Sequence, residues 1–298
     1  MSAAVSRSKK APAGAVSNPG RIGIVAGAGS LPAAVAEDAK AAGGDPFILG
    51  LAGNAAPSIE RFPHAYVHIG QAGRFLRILR SEGCTRLVLV GSLRRPNLFR
   101  IRIDAGFFWH LPQLLRLLKG GGDDAVLRRV ARFFEAQGFE MLAAHEVAPR
   151  LLAPEGAFSR LLPRVQDLED MKLGFRVAQG LGAFDIGQAA VVARGYVLAV
   201  EAAEGTDAML RRCGDLNGGG YGTRQGVLVK RPKPGQDRRF DLPGIGPQTV
   251  ELAAEAGLAG IAVEAGAVLL ADVDELVRKA NAAGLFLYGV PAADAEGR

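Results

Sequence analysis

Hydrophobic and polar positions first fall into a regular pattern at Arg21. Ile22-Gly23-Ile24-Val25-Ala26 is a short apolar run, Gly27-Ala28-Gly29 is a turn, and Ser30-Leu31-Pro32 carries the N-cap and early proline of a helix start. The pattern predicts a strand, a turn and a helix reaching about Ala42, where Gly43-Gly44 stops it. Further apolar runs predict strands at 47–49 and 65–68, a helix at 72–82, and a fully apolar strand at 87–90 ending on Gly91. After a long loop, a helix at 123–137 precedes a strand at 139–143. Strands that alternate with helices in this way predict a parallel sheet.

Residues 151–156 carry proline and glycine without a period and read as the start of a linker. Beyond it the order of elements changes. A helix at 166–181 leads to strands at 189–193 and 196–200, separated only by Arg194-Gly195. Two residues are too few for a parallel crossover, so these strands form an antiparallel hairpin. The pattern continues with a helix from Thr206, a strand at 226–230, a polar loop to Gly246, a helix at 247–256, strands near 261–263 and 267–270, a helix at 272–283 and a last strand at 285–288. The expected architecture is α/β: a Rossmann-like parallel-sheet domain over 21–150, a linker over 151–163, and a mixed α/β catalytic domain over 164–298, behind a leader of residues 1–20.

Composition narrows the function classes. With 298 residues, 49% apolar and 22% charged, the chain is an ordinary globular mixture. No run approaches the roughly 18 consecutive apolar residues that a membrane-spanning helix needs. Cys84 and Cys213 have no second thiol or histidine at metal-binding spacing, which excludes a disulfide framework or zinc ribbon and suggests a reducing compartment. The net charge of +6 includes Arg7, Lys9 and Lys10 in an acid-free leader that lacks the apolar centre of a secretory signal. Basic residues are otherwise spread along the chain and aromatics make up only 6%, so nucleic acid is not the expected partner. Anionic small molecules or lipid headgroups fit better.

Four places could carry chemistry. The Gly27-Ala28-Gly29-Ser30 turn offers free backbone N–H groups at a helix N-terminus, a phosphate cradle or else a packing turn. Pro32 and Leu49-Gly50-Leu51 stand where a dinucleotide fingerprint needs a small residue and an acid, which disfavours a nicotinamide cofactor. A nucleotide-binding oxidoreductase or regulatory protein using this turn remains the alternative reading. The loop 230–243 holds two of the chain's eight lysines, Lys230 and Lys233, where arginine is otherwise preferred. Compact ammonium groups suit a phosphoryl group in motion, and Asp237 and Asp241 are hard oxygen donors of the kind Mg²⁺ or Mn²⁺ accepts. Glu201, Glu204, Thr206 and Asp207 surround a strand end, where Thr206 and Asp207 read equally as helix cap and as site. Asn97 to Trp109 mixes arginines with large apolar groups, part of it core and part suited to a lipid-facing edge. The four histidines show no ligand spacing, and no G-x-S-x-G elbow occurs.

These residues carry a resemblance. Gly27 to Pro32, Val90-Gly91-Ser92-Leu93-Arg94-Arg95-Pro96, Asp123-Asp124, His145-Glu146-Val147, Asp185-Ile186-Gly187-Gln188, Glu201 to Asp207 and above all Lys230 to Pro243 resemble the LpxI-type UDP-2,3-diacylglucosamine pyrophosphatases of Gram-negative lipid A biosynthesis. The similarity covers essentially everything after Arg21. It implies Mg²⁺- or Mn²⁺-dependent hydrolysis of the diphosphate, giving UMP and 2,3-diacylglucosamine 1-phosphate (lipid X), with substrate between two domains. On that basis Lys230, Lys233, Gln236, Asp237 and Asp241 are the expected catalytic residues. Gly27, Gly29, Ser30, Arg94, Arg95, Thr206 and Arg239 are the expected substrate contacts, and Asp207, Asp237 and Asp241 the expected metal ligands. A cytoplasmic protein on the inner face of the inner membrane is expected, peripheral and without nucleic acid; a homodimer stays open.

Overall fold

The computed structural model describes residues 21–91, 123–216, 224–239 and 242–295. The leader, the Asn97–Trp109 stretch, Arg94, Arg95 and Asp241 lie outside the described residues. The chain opens with β1 (Arg21–Ala26), α1 (Leu31–Ala41), β2 (Pro46–Leu51), β3 (His64–Val67), α2 (Ala72–Ser81), β4 (Cys84–Val90), α3 (Asp123–Ala136) and β5 (Glu140–Leu142). These five strands form one parallel sheet in the order β3-β2-β1-β4-β5. Alternation along each strand divides its side chains between two cores. Ile22, Ile24, Ile48, Val88 and Val90 pack with Ala33, Val35 and Ala36 of α1, while Val25, Phe47, Leu49, Leu87 and Leu89 meet Phe75 and Leu79 of α2 and Phe134 of α3. Burial on both faces is why these strands read as unbroken apolar runs.

A short helix, α4 (Ala144–Val147), and a 3₁₀ turn at Pro149–Leu151 lead out of this sheet. The second half comprises β6 (Gly156–Ala157), α5 (Val165–Ala183), β7 (Ala189–Ala193), β8 (Tyr196–Val200), α6 (Thr206–Leu216), β9 (Val227–Lys230), β10 (Gly244–Ile245), α7 (Pro247–Glu255), β11 (Gly260–Glu264), β12 (Leu269–Leu270), α8 (Val273–Ala283), β13 (Phe286–Val290) and α9 (Ala292–Ala295). Its six-stranded sheet runs β6-β13-β11-β9-β7-β8. Strands β9, β11 and β13 are parallel, and β6, β7 and β8 are antiparallel to their neighbours, so the sheet is mixed as the hairpin spacing predicts. At the hairpin Arg194 (φ 51°) and Gly195 (φ 77°) both take positive φ, the geometry of a type I′ turn. The buried Asp170 carboxylate of α5 accepts both their amides, at 2.9 and 2.8 Å, and so ties the turn to the helix.

One face of this sheet, through Ala189, Val191, Leu228 and Ile261, packs on Met209, Leu210, Val250 and Leu276 of α6, α7 and α8. The other, through Val227, Val229 and Ala262, packs on Met171 and Phe175 of α5. Residues 267–270, read from the sequence as part of the main succession of strands, instead supply β12, which pairs in parallel only with β10. Leu269 of that small pair belongs to the core of the first sheet, along with Leu151 and α1, and Leu242 packs there too. The connection between the halves is strapped down: Leu152 bridges Leu269, Ala153 donates to Val268 O at 2.9 Å, and Ala153 O accepts from Gly266 at 2.9 Å.

Two predictions follow from this packing. A Cβ on Gly289 would lie 1.7 Å from the Pro154 carbonyl oxygen, so Gly289→Ala must push the strap off β13. The substitution should cost about 3 kcal/mol and lower the melting temperature by about 5 °C or more in a thermal scan; an unchanged midpoint would contradict the strap. Burial pushes the thiols of both Cys84 and Cys213 up to about 11. The folded protein at pH 8 should therefore show almost no reaction with a thiol reagent until denaturant is added.

Candidate active site

The carboxyl ends of parallel strands are where α/β sheets place ligands, because the backbone there ends in loops and helix N-termini. Strand β9 ends that way with a lysine. Lys230 closes an otherwise apolar four-residue strand and is buried, at 7% exposure. Its Nζ donates to Thr206 Oγ1 at 2.9 Å and to the Gly244 carbonyl at 2.9 Å. The Thr206 hydroxyl in turn donates to Glu201 Oε1 at 2.7 Å, and Glu201 Oε2 accepts the Gln188 amide at 3.1 Å. Glu201 and Thr206 are themselves buried. The Thr206 hydroxyl is thus spent on this network rather than on the first-turn amides of α6.

The next residues make a rigid loop. Gln236 Oε1 accepts the Lys233 amide at 2.9 Å while the Gln236 amide donates to Lys233 O at 3.2 Å, closing a turn through Gly235 (φ 72°). Lys233 Nζ reaches Asp185 Oδ1 at 2.6 Å. Buried Arg231 pairs with buried Glu264 at 3.1 Å and donates to Ala295 O at 2.7 Å, and Arg238 joins Glu264 at 3.2 Å. Asp237 accepts from Arg239 three times, from the amide and Nε at 3.1 Å and from Nη2 at 2.8 Å. Those bonds, with the charge of Arg128 adding to them, hold the Asp237 carboxyl below the usual carboxylate range.

The loop lies against the first sheet's helices. Arg128 of α3 donates to Gly235 O at 3.5 Å, and Arg239 approaches Glu135 of α3 at 3.9 Å. The glycine turn is adjacent through Gly244: a Cβ there would come 2.7 Å from Leu31 Cδ1, at the start of α1. The turn itself is shaped by close packing, since Gly27 donates to Val90 O at 2.8 Å and a Cβ on Gly91 would strike Ala28 O at 2.6 Å. Gly29 (φ 93°) has open space around its Cβ position, and Ser30 makes no capping bond with its hydroxyl. Gly244 thus contacts both halves: its carbonyl accepts from Lys230, and its Cα meets the Leu31 side chain at the start of α1.

Of the residues expected from sequence, Lys230 and Thr206 come together, Lys233 and Gln236 form one turn, and Asp237 and Arg239 one ion pair. Gly27, Gly29 and Ser30 form the turn that precedes Leu31, whose side chain meets Gly244. Asp207 stands half-buried in the first turn of α6. Among the described residues no group of three or more His, Cys, Asp or Glu side chains is placed to hold a metal ion. Sequence reading assigned no role to Glu264, Arg231 or Asp185, and left Glu201 as part of an acidic strand end. The signal for Glu201, Lys230 and Glu264 is shared: each is a charge placed directly at the end of an apolar strand.

Comparison with known proteins gives a consistent picture. Residues 21–151 match the family model of the LpxI N-terminal domain and residues 154–288 that of the LpxI C-terminal domain. The UDP-2,3-diacylglucosamine pyrophosphatase LpxI of Caulobacter vibrioides is 44% identical over 273 residues, covering 91% of this chain and 97% of that protein. A solved structure, glycinamide-RNase-transformylase T from Mycobacterium tuberculosis, aligns at 14% identity over 61% of this chain and 44% of that one, with a TM-score of 0.23, too low to carry an argument.

The Asp237–Arg239 pair predicts a pH dependence with a definite sign. A depressed carboxyl pKa contributes stability that is fully present above the ordinary value of about 3.9 and is lost as pH falls through the folded value. Asp237→Asn should therefore lower stability at pH 7, by less than about 1 kcal/mol because Arg239 is half exposed. The gap between wild type and variant in denaturant titrations should close below about pH 4; a gap that widens in acid would contradict the assignment.

Proposed function

The chain belongs to the LpxI family, and from that membership we propose that it hydrolyses the diphosphate of UDP-2,3-diacylglucosamine, releasing UMP and 2,3-diacylglucosamine 1-phosphate in lipid A biosynthesis. The observation that carries this is 44% identity to a curated UDP-2,3-diacylglucosamine pyrophosphatase over nearly the whole of both chains. The geometry supports it with an anion-attracting turn after β1 and a buried ammonium at the end of β9, Gly244 meeting both Lys230 and the Leu31 side chain that follows the turn.

In the proposed reaction a water oxygen bonds to one phosphorus as the bond from that phosphorus to the bridging oxygen breaks. Negative charge then grows on the bridging and non-bridging oxygens. Fixed cations near those oxygens lower the barrier most, since they need no rearrangement as the charge develops. Lys230 is fixed by two bonds and retains a third N–H for a phosphoryl oxygen. Lys233, held by Asp185, supplies a second ammonium on the same loop, and the amides of Gly27 to Ser30 receive the other phosphate. Asp237 is a poor proton acceptor because Arg239 depresses its pKa; its task is to fix Arg239 toward the substrate. Proton removal from water is assigned to Asp241.

The family resemblance also implies Mg²⁺ or Mn²⁺. Among the described residues no group of three or more His, Cys, Asp or Glu side chains is placed to hold the ion, and both oxygens of Asp237 are engaged by Arg239, so the protein cations are assigned charge stabilisation alongside the ion. The proposed ion would be held by Asp241 and Asp207, joined by Asp237 on release from Arg239, and would supply further charge stabilisation; chelation tests the requirement. A diacyl substrate supports a peripheral position at the cytoplasmic face of the inner membrane as part of this proposal; among the described residues no helix is long and apolar enough to cross a membrane.

UMP release from UDP-2,3-diacylglucosamine in detergent micelles is the direct test. Wild type should release UMP, EDTA should abolish release and Mn²⁺ restore it, and Asp241→Ala should fall by at least about 1,000-fold with an unchanged melting temperature. A folded protein that forms no UMP under any of these conditions would refute the reaction.

A further inference from the structure

Lys230 is held at one remove by a residue that touches no part of the proposed substrate path. We propose that Glu201 is a positioning residue: acting through the Thr206 hydroxyl, it fixes the Lys230 ammonium so that its remaining N–H meets the phosphoryl oxygens. This rests on the reaction proposed above and adds the device that aims its central cation.

Three constraints make Glu201 a fixed post. Its backbone packs tightly on the chain just before β7: a Cβ on Gly187 would lie only 2.0 Å from the Glu201 carbonyl oxygen, so that position admits only glycine. The Glu201 amide donates to Ala189 O at 2.9 Å. Its carboxylate is used at both oxygens, Oε2 by the Gln188 amide and Oε1 by Thr206. Thr206 then has a single rotational choice. With its proton committed to Glu201, the hydroxyl oxygen turns its lone pairs outward, and one accepts Lys230 Nζ. The Gly244 carbonyl takes a second ammonium proton, and tetrahedral geometry sets the direction of the third.

The same segment secures the other lysine. Asp185, two residues before Gly187, takes a positive φ of 56° and pairs with Lys233, while Gln188 O accepts the Arg231 amide at 3.0 Å. Residues 185–188 therefore connect both ammonium groups to one rigid turn, with Glu201 behind Lys230 and Asp185 behind Lys233. A lysine on a flexible four-carbon stem is a poor point of reference unless something of this kind restrains it. Displacement of a reacting group by about 1 Å is enough to lose about 100-fold in rate.

The test uses the full chain and four variants. Thr206→Val removes the hydroxyl and leaves Glu201 in place, Thr206→Ser restores the hydroxyl, Glu201→Gln removes the charge, and Lys230→Met removes the ammonium. Thr206→Val and Glu201→Gln should each lower kcat about 100-fold while KM stays within about threefold. Thr206→Ser should recover kcat to within a small factor of wild type, and Thr206→Val in a Lys230→Met background should cost nothing further. Trace labelling of amines with acetic anhydride, read by mass spectrometry, reports the hold on Lys230 whether or not UMP forms. Lys230 should label at least several-fold faster in Thr206→Val and Glu201→Gln than in wild type or Thr206→Ser. Unchanged labelling overturns the hold, and faster labelling with an unchanged kcat overturns its role in the reaction. Absence of UMP from wild type refutes the reaction itself, and labelling then decides separately whether Glu201 and Thr206 restrain the ammonium. Should Glu201→Gln fail to fold, the Thr206 pair decides the question alone.

Discussion

A charged ammonium placed inside a protein must be fully provided for, because removing it from water costs several kcal/mol unless partners replace the lost hydration. Lys230 is that group in this chain, and much of the surrounding architecture follows from its needs. Strand β9 brings it in, the first turn of α6 supplies Thr206, the end of β8 leads to Glu201, and the small pair β10–β12 presents the Gly244 carbonyl. No single element could supply all of these. The arrangement forms only when the hairpin β7–β8, helix α6 and the loop back to Gly244 have all reached their places, which links the site to the cooperative core of the second sheet.

Gly244 also explains how two sheets make one site. It accepts from Lys230 with its carbonyl and meets the Leu31 side chain where a Cβ would be, so a larger residue there would displace Leu31 at the start of α1. The flanking residues extend that contact, with Leu242 and Leu269 entering the core of the first sheet and Leu152 bridging to Leu269. The loop 231–239 crosses on the other side, touching α3 through Arg128 and Arg239. The two loop lysines, loop rigidity and contact between the sheets are therefore properties of one stretch of chain.

Much of the fold was legible in the sequence because burial leaves a periodic trace. The apolar strands β1, β2, β4 and β9, the glycine turn after β1 and the two-residue Arg194-Gly195 hairpin all announce themselves by pattern or by the impossibility of any other connection. Strand β10 did not, since two residues are too short to show a period, and its pairing with β12, the strand read at 267–270, is decided by contact between sheets. The strap at 152–157 was hidden for the same reason: proline and glycine there suggested a loose connection, yet Gly289 admits the Pro154 carbonyl into tight contact. At the site, lysine in an arginine-rich chain pointed to Lys230 and Lys233. Glu201 was visible as an acid at a strand end, but its role depends on Thr206, 5 residues on, and on Lys230, 24 residues beyond Thr206, and the three meet only in the fold.

The central claim is that both sheets contribute to one phosphate-binding site around Gly244. A crystal structure of the protein with bound UMP tests it most directly. The nucleotide phosphate should lie within hydrogen-bonding distance of Lys230 Nζ or Lys233 Nζ on one side and of the amides between Gly27 and Ser30 on the other. A phosphate bound away from Gly244, with both lysines still facing only their present protein partners, would contradict the account.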